Sequence, residues 1–227
     1  MLILTAFAGA YFYYFKSENP NNKPKQRLES LKTKEEAESV KTVFKEINEA
    51  VNLMDSVKDE MPKELLEVHQ FLLEKGKENE IKFYQIPPEM KDFIMFHGAK
   101  SQVLYLDPEV RLKPQIWIPL LYHEVGHLLW HQKHPVSTFE EFQAQLFESE
   151  KHSYTVDAQA WNLVRKHFLS GREGLSALEK KLFNLYERET VIYNKMVEGD
   201  LEAKKNWIEI IRKDIEAQKK YQRTLKK

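Results

Sequence analysis

One stretch constrains the fold more than any other: LLYHEVGHLLWHQKH, Leu120 to His134. Leu120, Leu121, Leu128, Leu129 and Trp130 make this segment apolar on nearly every side, and a helix of that kind is buried. Other elements must therefore surround it. The same fifteen residues hold four of the chain's eight histidines and one glutamate between them. Burying adjacent His, Glu and His side chains carries a large desolvation cost unless something compensates it.

The rest of the chain supplies the surround. Val40, Val43, Phe44, Ile47, Val51 and Met54 recur at three- and four-residue steps and predict an amphipathic helix. Pro62 opens a second helix with Leu65, Leu66, Val68, Phe71 and Leu72; its His69 reads as a packed or surface histidine. Ile81 to Pro87 and Gln102 to Asp107 are short, β-branched and aromatic, and predict two strands. The segment PEMKDFIMFHG between them reads as a short helix. Pro114 then opens the buried helix, and a long helix follows from Ser137 to about Phe168. After Ser170-Gly171 come two charge-rich helices, the first with a core stripe of Leu175, Leu178, Leu182, Leu185 and Tyr186. The expected class is α+β, mainly α-helical, with a small sheet. Only 7 Gly and 9 Pro in 227 residues agree with long helices over many tight turns.

Charge and cysteine exclude other classes. Lysine plus arginine number 35 and aspartate plus glutamate 35, which argues against a nucleic-acid partner. The absence of cysteine excludes disulfides, thiolate ligands and a cysteine nucleophile.

The chain starts with an uncharged run, Leu2 to Phe15, ending in Tyr11, Phe12, Tyr13, Tyr14 and Phe15. As a helix it spans about 21 Å, short of a roughly 30 Å hydrocarbon core, while the aromatic cluster suits a membrane interface. Residues 1–16 are read as a single-pass membrane anchor or signal-like segment, with 17–27 as a linker. Lys16, Lys23, Lys25 and Arg27 after the anchor place the following domain on the cytoplasmic side.

The chemistry lies in His123-Glu-Val-Gly-His127, an HExxH motif. Residues i and i+4 share one helix face, so two imidazoles can converge on one cation. Glu124 is placed to reach a metal-activated water and take its proton. His131 continues the face, but i, i+4 and i+8 span about 12 Å along a straight helix, so it is not expected as a ligand. His134, beside Pro135, is expected in a loop. A hydrolytic zinc site usually has three protein ligands, and the third is expected from the next helix. Glu148, Glu150, His152 and Asp157 are available there. Glu150, Tyr154 and Asp157 share a face; Glu150 completes a two-histidine, one-glutamate set, and Asp157 could orient a ligand histidine.

HEVGHLLWH resembles the active-site helix of gluzincin metallopeptidases, in particular the HExxHxxxH form of ImmA/IrrE-type proteins. The resemblance runs from about Val103 to Leu163. It implies zinc held by His123 and His127, with Glu124 as general base and no ligand role for His131. Glu150-Lys-His-Ser153-Tyr154 is similar to the E-x-x-small-Tyr setting of the third gluzincin ligand, which favours Glu150; Glu148 and Asp157 stay open. It also implies a zincin-like peptidase domain over 28–170, followed by a C-terminal helical extension, 171–227. An extended peptide substrate would pair with an edge strand, for which Val103, Leu104, Tyr105 and Leu106 are the candidates. An oxyanion stabiliser is expected among Tyr154, His152 and His167.

The function expected is a membrane-tethered zinc metallopeptidase acting on a peptide or protein substrate. The rivals are a zinc-binding protein without catalysis and a helical interaction protein at a membrane.

Overall fold

A computed structural model describes residues 34–77, 82–86, 94–98 and 103–225. Six α-helices and three short strands occur among them: α1 (Lys34–Asp55), α2 (Lys63–Lys77), β1 (Lys82–Gln85), β2 (Met95–Gly98), β3 (Val103–Leu106), α3 (Pro114–Lys133), α4 (Phe139–His167), α5 (Ala177–Val197) and α6 (Leu201–Leu225). A 3₁₀ turn, Lys58–Glu60, separates α1 from α2. The chain is mainly helical.

Helix α3 is the axis of the molecule. It is buried from Ile116 to Leu129, and α1, α2, α4, α5 and β2 all pack on it. Its apolar residues face every direction, so an isolated α3 would expose them all. Polar anchors fix the neighbours. Trp117 Nε1 donates to Glu46 of α1 at 3.0 Å. His69 of α2 is buried, with Nδ1 2.6 Å from the Tyr122 hydroxyl and Nε2 3.3 Å from Asp55, so it is a core histidine.

Helices α3 and α4 approach closely at Gly126. A Cβ there would lie 3.2 Å from Ser153 Oγ and 3.5 Å from its Cα. The glycine does not break α3, which runs on to Lys133; it lets the two backbones come together. Helix α4 starts from a capping box, with Thr138 accepting from the Glu141 N–H and Glu141 reaching back. Ser176 and Glu179 form the same device at α5, and Glu179 also accepts from the backbone of Lys113 at 2.6 Å, tying the starts of α3 and α5.

The residues after 171 share the interior. Leu175, Leu182, Phe183 and Tyr186 join the main core with α3, while Trp207, Ile211 and Ile215 of α6 pack on Phe142, Leu146, Tyr154 and Ala158 of α4. Gly199, at φ +96°, turns the chain between α5 and α6, and Asp200 caps α6 through the N–H groups of Glu202 and Ala203.

Three expectations change. The segment FIMFHG contributes a strand, β2, in place of helix; Met95 and His97 both point inward at the two-residue period of a strand. The strand order is β1-β3-β2, with β3 parallel to β1 and antiparallel to β2. Val103–Leu106 is therefore the central strand, its hydrogen bonds taken on both sides, and it offers no edge to a substrate. The membrane tether is also withdrawn. Among the described residues no helix is long and apolar enough to cross a membrane, and the 1–16 segment and the 17–27 linker lie outside them. The most apolar long helix, α3, spends its surface on the protein core.

Candidate metal centre

His123 and His127 project from one face of α3 toward α4, where Gly126 and Ser153 let the helices close in. Glu150, on the α4 turn before Ser153, points back at them. Their ligand-capable atoms form a triangle: His123 Nε2 to His127 Nε2 is 3.3 Å, His127 Nε2 to Glu150 Oε2 3.5 Å, and His123 Nε2 to Glu150 Oε2 3.7 Å. Tetrahedral ligands bound at 2.0–2.1 Å stand about 3.3 Å apart, so the triangle fits one small cation. The structure thus holds a buried His/Glu group that could bind a metal ion.

Each histidine has its other nitrogen engaged. His123 Nδ1 is 2.8 Å from Asp157 Oδ2, and His127 Nδ1 is 2.7 Å from Ser149 Oγ. Such bonds turn the Nε2 lone pair toward the triangle and fix the ring. Burial pushes the His127 pKa well below its usual value, which keeps the imidazole in its neutral, ligating form. His123 behaves differently: burial lowers its pKa, but the bonds to Asp157 and Glu150 outweigh that and raise it well above the usual value. Burial raises Asp157 to about 6, against the pull of His123.

Glu124 is fully buried, with His97 Nδ1 3.5 Å from its Oε2. Burial, reinforced by the Glu150 charge, raises its pKa well above the carboxylate range against the pull of His123. A cavity of about 30 Å³ lies beside it, lined by Leu120, His123, Glu124, Tyr154, Asp157, Leu185, Tyr186 and Glu189. That is room for roughly one or two waters.

Of the remaining sequence candidates, Tyr154 lines this cavity and the others fall outside it. Glu148 is exposed and paired with Lys151 at 3.1 Å. His152 packs on Trp130, His134 stacks on Trp130 at 4.1 Å, and His167 pairs with Glu60 at 3.1 Å. Tyr154 stands edge-on to His123, ring centres 4.9 Å apart.

Four residues at the site escape a sequence reading. His97, on β2, is stacked on His127 at 4.8 Å and on His131 at 5.4 Å, and these three histidines form a second group that could hold an ion. Its signal was hidden by reading FIMFHG as helix. Ser149 carried none beyond its place beside Glu150. Tyr186 and Glu189 come from α5; a charged residue extending the Leu178, Leu182, Leu185 stripe by one turn was the clue.

Compared with protein families, curated proteins and solved structures, the chain matches none.

Proposed function

We propose that this chain is a zinc-dependent metallopeptidase whose zincin-like core is built from α3, α4 and β2. The observation that carries the reading is the triangle of His123, His127 and Glu150, with edges of 3.3 to 3.7 Å and a glutamate, Glu124, next to it in the chain. Two imidazoles and one carboxylate, with a small cavity adjoining, suit a catalytic zinc that keeps one open position. Zinc bound there would polarise a scissile carbonyl and bring the pKa of a water toward about 7.

The chain's own groups do the rest. Asp157 and Ser149 hold the two ligand rings in register. A bound cation would favour the ionised form of Glu124 against its burial, and the carboxylate accepts the proton of the attacking water and hands it to the leaving amine. The peptide pairs with β2, which ends the sheet, in place of β3. His97 on that strand lies directly over His127 and so brings the docked backbone to the centre.

The test is the full chain loaded with zinc and offered a quenched fluorescent peptide library. Wild type should turn over, and Glu124→Gln should lose about 10²–10⁴-fold in rate while keeping its zinc. A variant of undiminished rate would remove Glu124 as the base.

A second reading has one observation in its favour. Every ligand is buried, and the adjoining cavity of about 30 Å³ holds no peptide. A zinc site without catalysis would look the same, and would bind zinc yet hydrolyse nothing in that assay.

A further inference from the structure

The edge strand β2 reaches the metal centre through one side chain, His97. Its ring is buried and stacks on the ligand His127, centres 4.8 Å apart and planes 2° from parallel. Its backbone lies in the ladder with β3, opposite Leu104. The ring's Nδ1 is 3.5 Å from Oε2 of Glu124, which is wholly buried. Neither oxygen of Glu124 has a hydrogen bond of ordinary length among the described residues. A buried carboxylate left in that state is costly and rare. The backbone N–H of His97 also favours the ionised carboxylate. His97 thus joins three parts of the site: the strand, a ligand imidazole and the glutamate.

Glu124 needs such a partner. Consecutive residues on a helix point about 100° apart, so Glu124 does not share the direction of His123 and His127. Resting on the peptidase reading, we infer that His97 is a positioning residue: its Nδ1–H donates to Glu124 Oε2 and holds the base in place against a peptide paired with β2. An ionised carboxylate only accepts, so this partner selects the imidazole tautomer with its hydrogen on Nδ1. At 3.5 Å the contact is long for a hydrogen bond. Contacts to a catalytic base are often long in the free enzyme and tighten once substrate is bound. The donor sits on the strand that the substrate joins, so one element sets both the docking of the peptide and the aim of the base. A base misplaced by about 1 Å loses on the order of 10²-fold in rate. His97 is no corner of the His123, His127 and Glu150 triangle, so its replacement leaves those three ligands in place.

Two variants separate the donor from the ring. His97→Phe keeps a ring for the stack and removes the donor; His97→Asn puts an amide N–H near the place of Nδ1 and removes the ring. The full-length protein, reconstituted with zinc, is measured for zinc content, kcat and KM. Multiple-bond nitrogen–proton NMR of zinc-loaded wild type reads which ring nitrogen of His97 carries hydrogen, its signals assigned by their loss in His97→Asn. Expected are hydrogen on Nδ1, unchanged zinc in both variants, a kcat lower by about 10²-fold in His97→Phe with KM unchanged, and His97→Asn within about tenfold of wild type. A His97→Phe as fast as wild type overturns the assignment and leaves the peptidase reading intact. An Asn variant slowed as much as the Phe variant shows that packing of the ring is what matters, and also overturns it. Hydrogen found only on Nε2 overturns it even where a variant fails to fold. Wild-type protein that binds zinc but cleaves no peptide overturns the peptidase reading, and the role of His97 with it, whichever nitrogen carries the hydrogen.

Discussion

Two groups of three buried side chains meet at His127, and they are not alike. His123, His127 and Glu150 lie on one side; His97, His127 and His131 lie on the other. The first contains a carboxylate to balance a cation, and each of its imidazoles is oriented by a further partner, Asp157 or Ser149. The second is three imidazoles in a stack, against which Phe142 also packs at 5.5 Å. Burial lowers His97 and His127 well below their usual pKa and His131 to about 4, and His131 Nδ1 is buried with no hydrogen bond. The difference teaches that proximity of ligand types is not enough. A divalent ion leaving water needs compensating charge and donors already aimed at it, and only the Glu150 side provides both.

The sharpest way to break this comparison is to remove one member of each side. Glu150→Ala should cost zinc affinity beyond the roughly 10–100-fold that losing an orienting partner costs, leaving protein that dialyses free of metal. His131→Ala should keep stoichiometric zinc. Metal analysis after dialysis against a weak chelator distinguishes them. If His131→Ala loses the ion and Glu150→Ala keeps it, the three-histidine group is the real site.

A smaller effect is expected from Asp157→Asn. The ligands stay, but the carboxylate that engages His123 Nδ1 at 2.8 Å is replaced by a neutral amide. Zinc affinity, read by competition with a chromogenic chelator, should fall by about 10–100-fold. An unchanged affinity would mean that Asp157 does not orient His123, and the contrast between the two groups would then rest on Glu150 alone.

How far was this contrast legible in the sequence? The apolar ring of Leu120, Leu121, Leu128 and Leu129 carried α3 to the centre of the fold, because burial is a property of one segment's own composition. The i, i+4 spacing of His123 and His127 is likewise local. Glu150 was within reach of pattern, since it shares an α4 face with Asp157. The partners from distant elements were not. His97 comes from a four-residue strand, too short for its period to stand out from an apolar run. The pairing of β3 on both sides depends on where β1 and β2 lie, which no single strand records. Tyr186 and Glu189 reach the cavity only because α5 folds back over α3 and α4, a tertiary fact that the break at Ser170-Gly171 disguised as a boundary.

Stability, in place of zinc affinity, probes the acidic side of the comparison through Glu189, which lines the cavity with Glu124 and Asp157. Burial first, and the Asp157 carboxylate second, raise its pKa to about 8, against the pull of the exposed Arg188 3.4 Å away. An unfolded glutamate titrates near about 4.3. Below that pH the group is protonated in both states and costs nothing. Between roughly 4.3 and the folded value the unfolded chain ionises while the folded one holds its proton, so stability falls as pH rises. Above the folded value both are ionised and the loss stops growing. Glu189→Gln cannot ionise, so its thermal midpoint should match wild type at pH 4 and exceed it by roughly 10 °C at pH 8, given roughly 2–4 °C per kcal/mol for a chain of this length. A gain of equal size at both pH values would show that Glu189 does not titrate in this range. The cavity that Glu189 shares with His123 and Glu124 would then carry its negative charge at neutral pH.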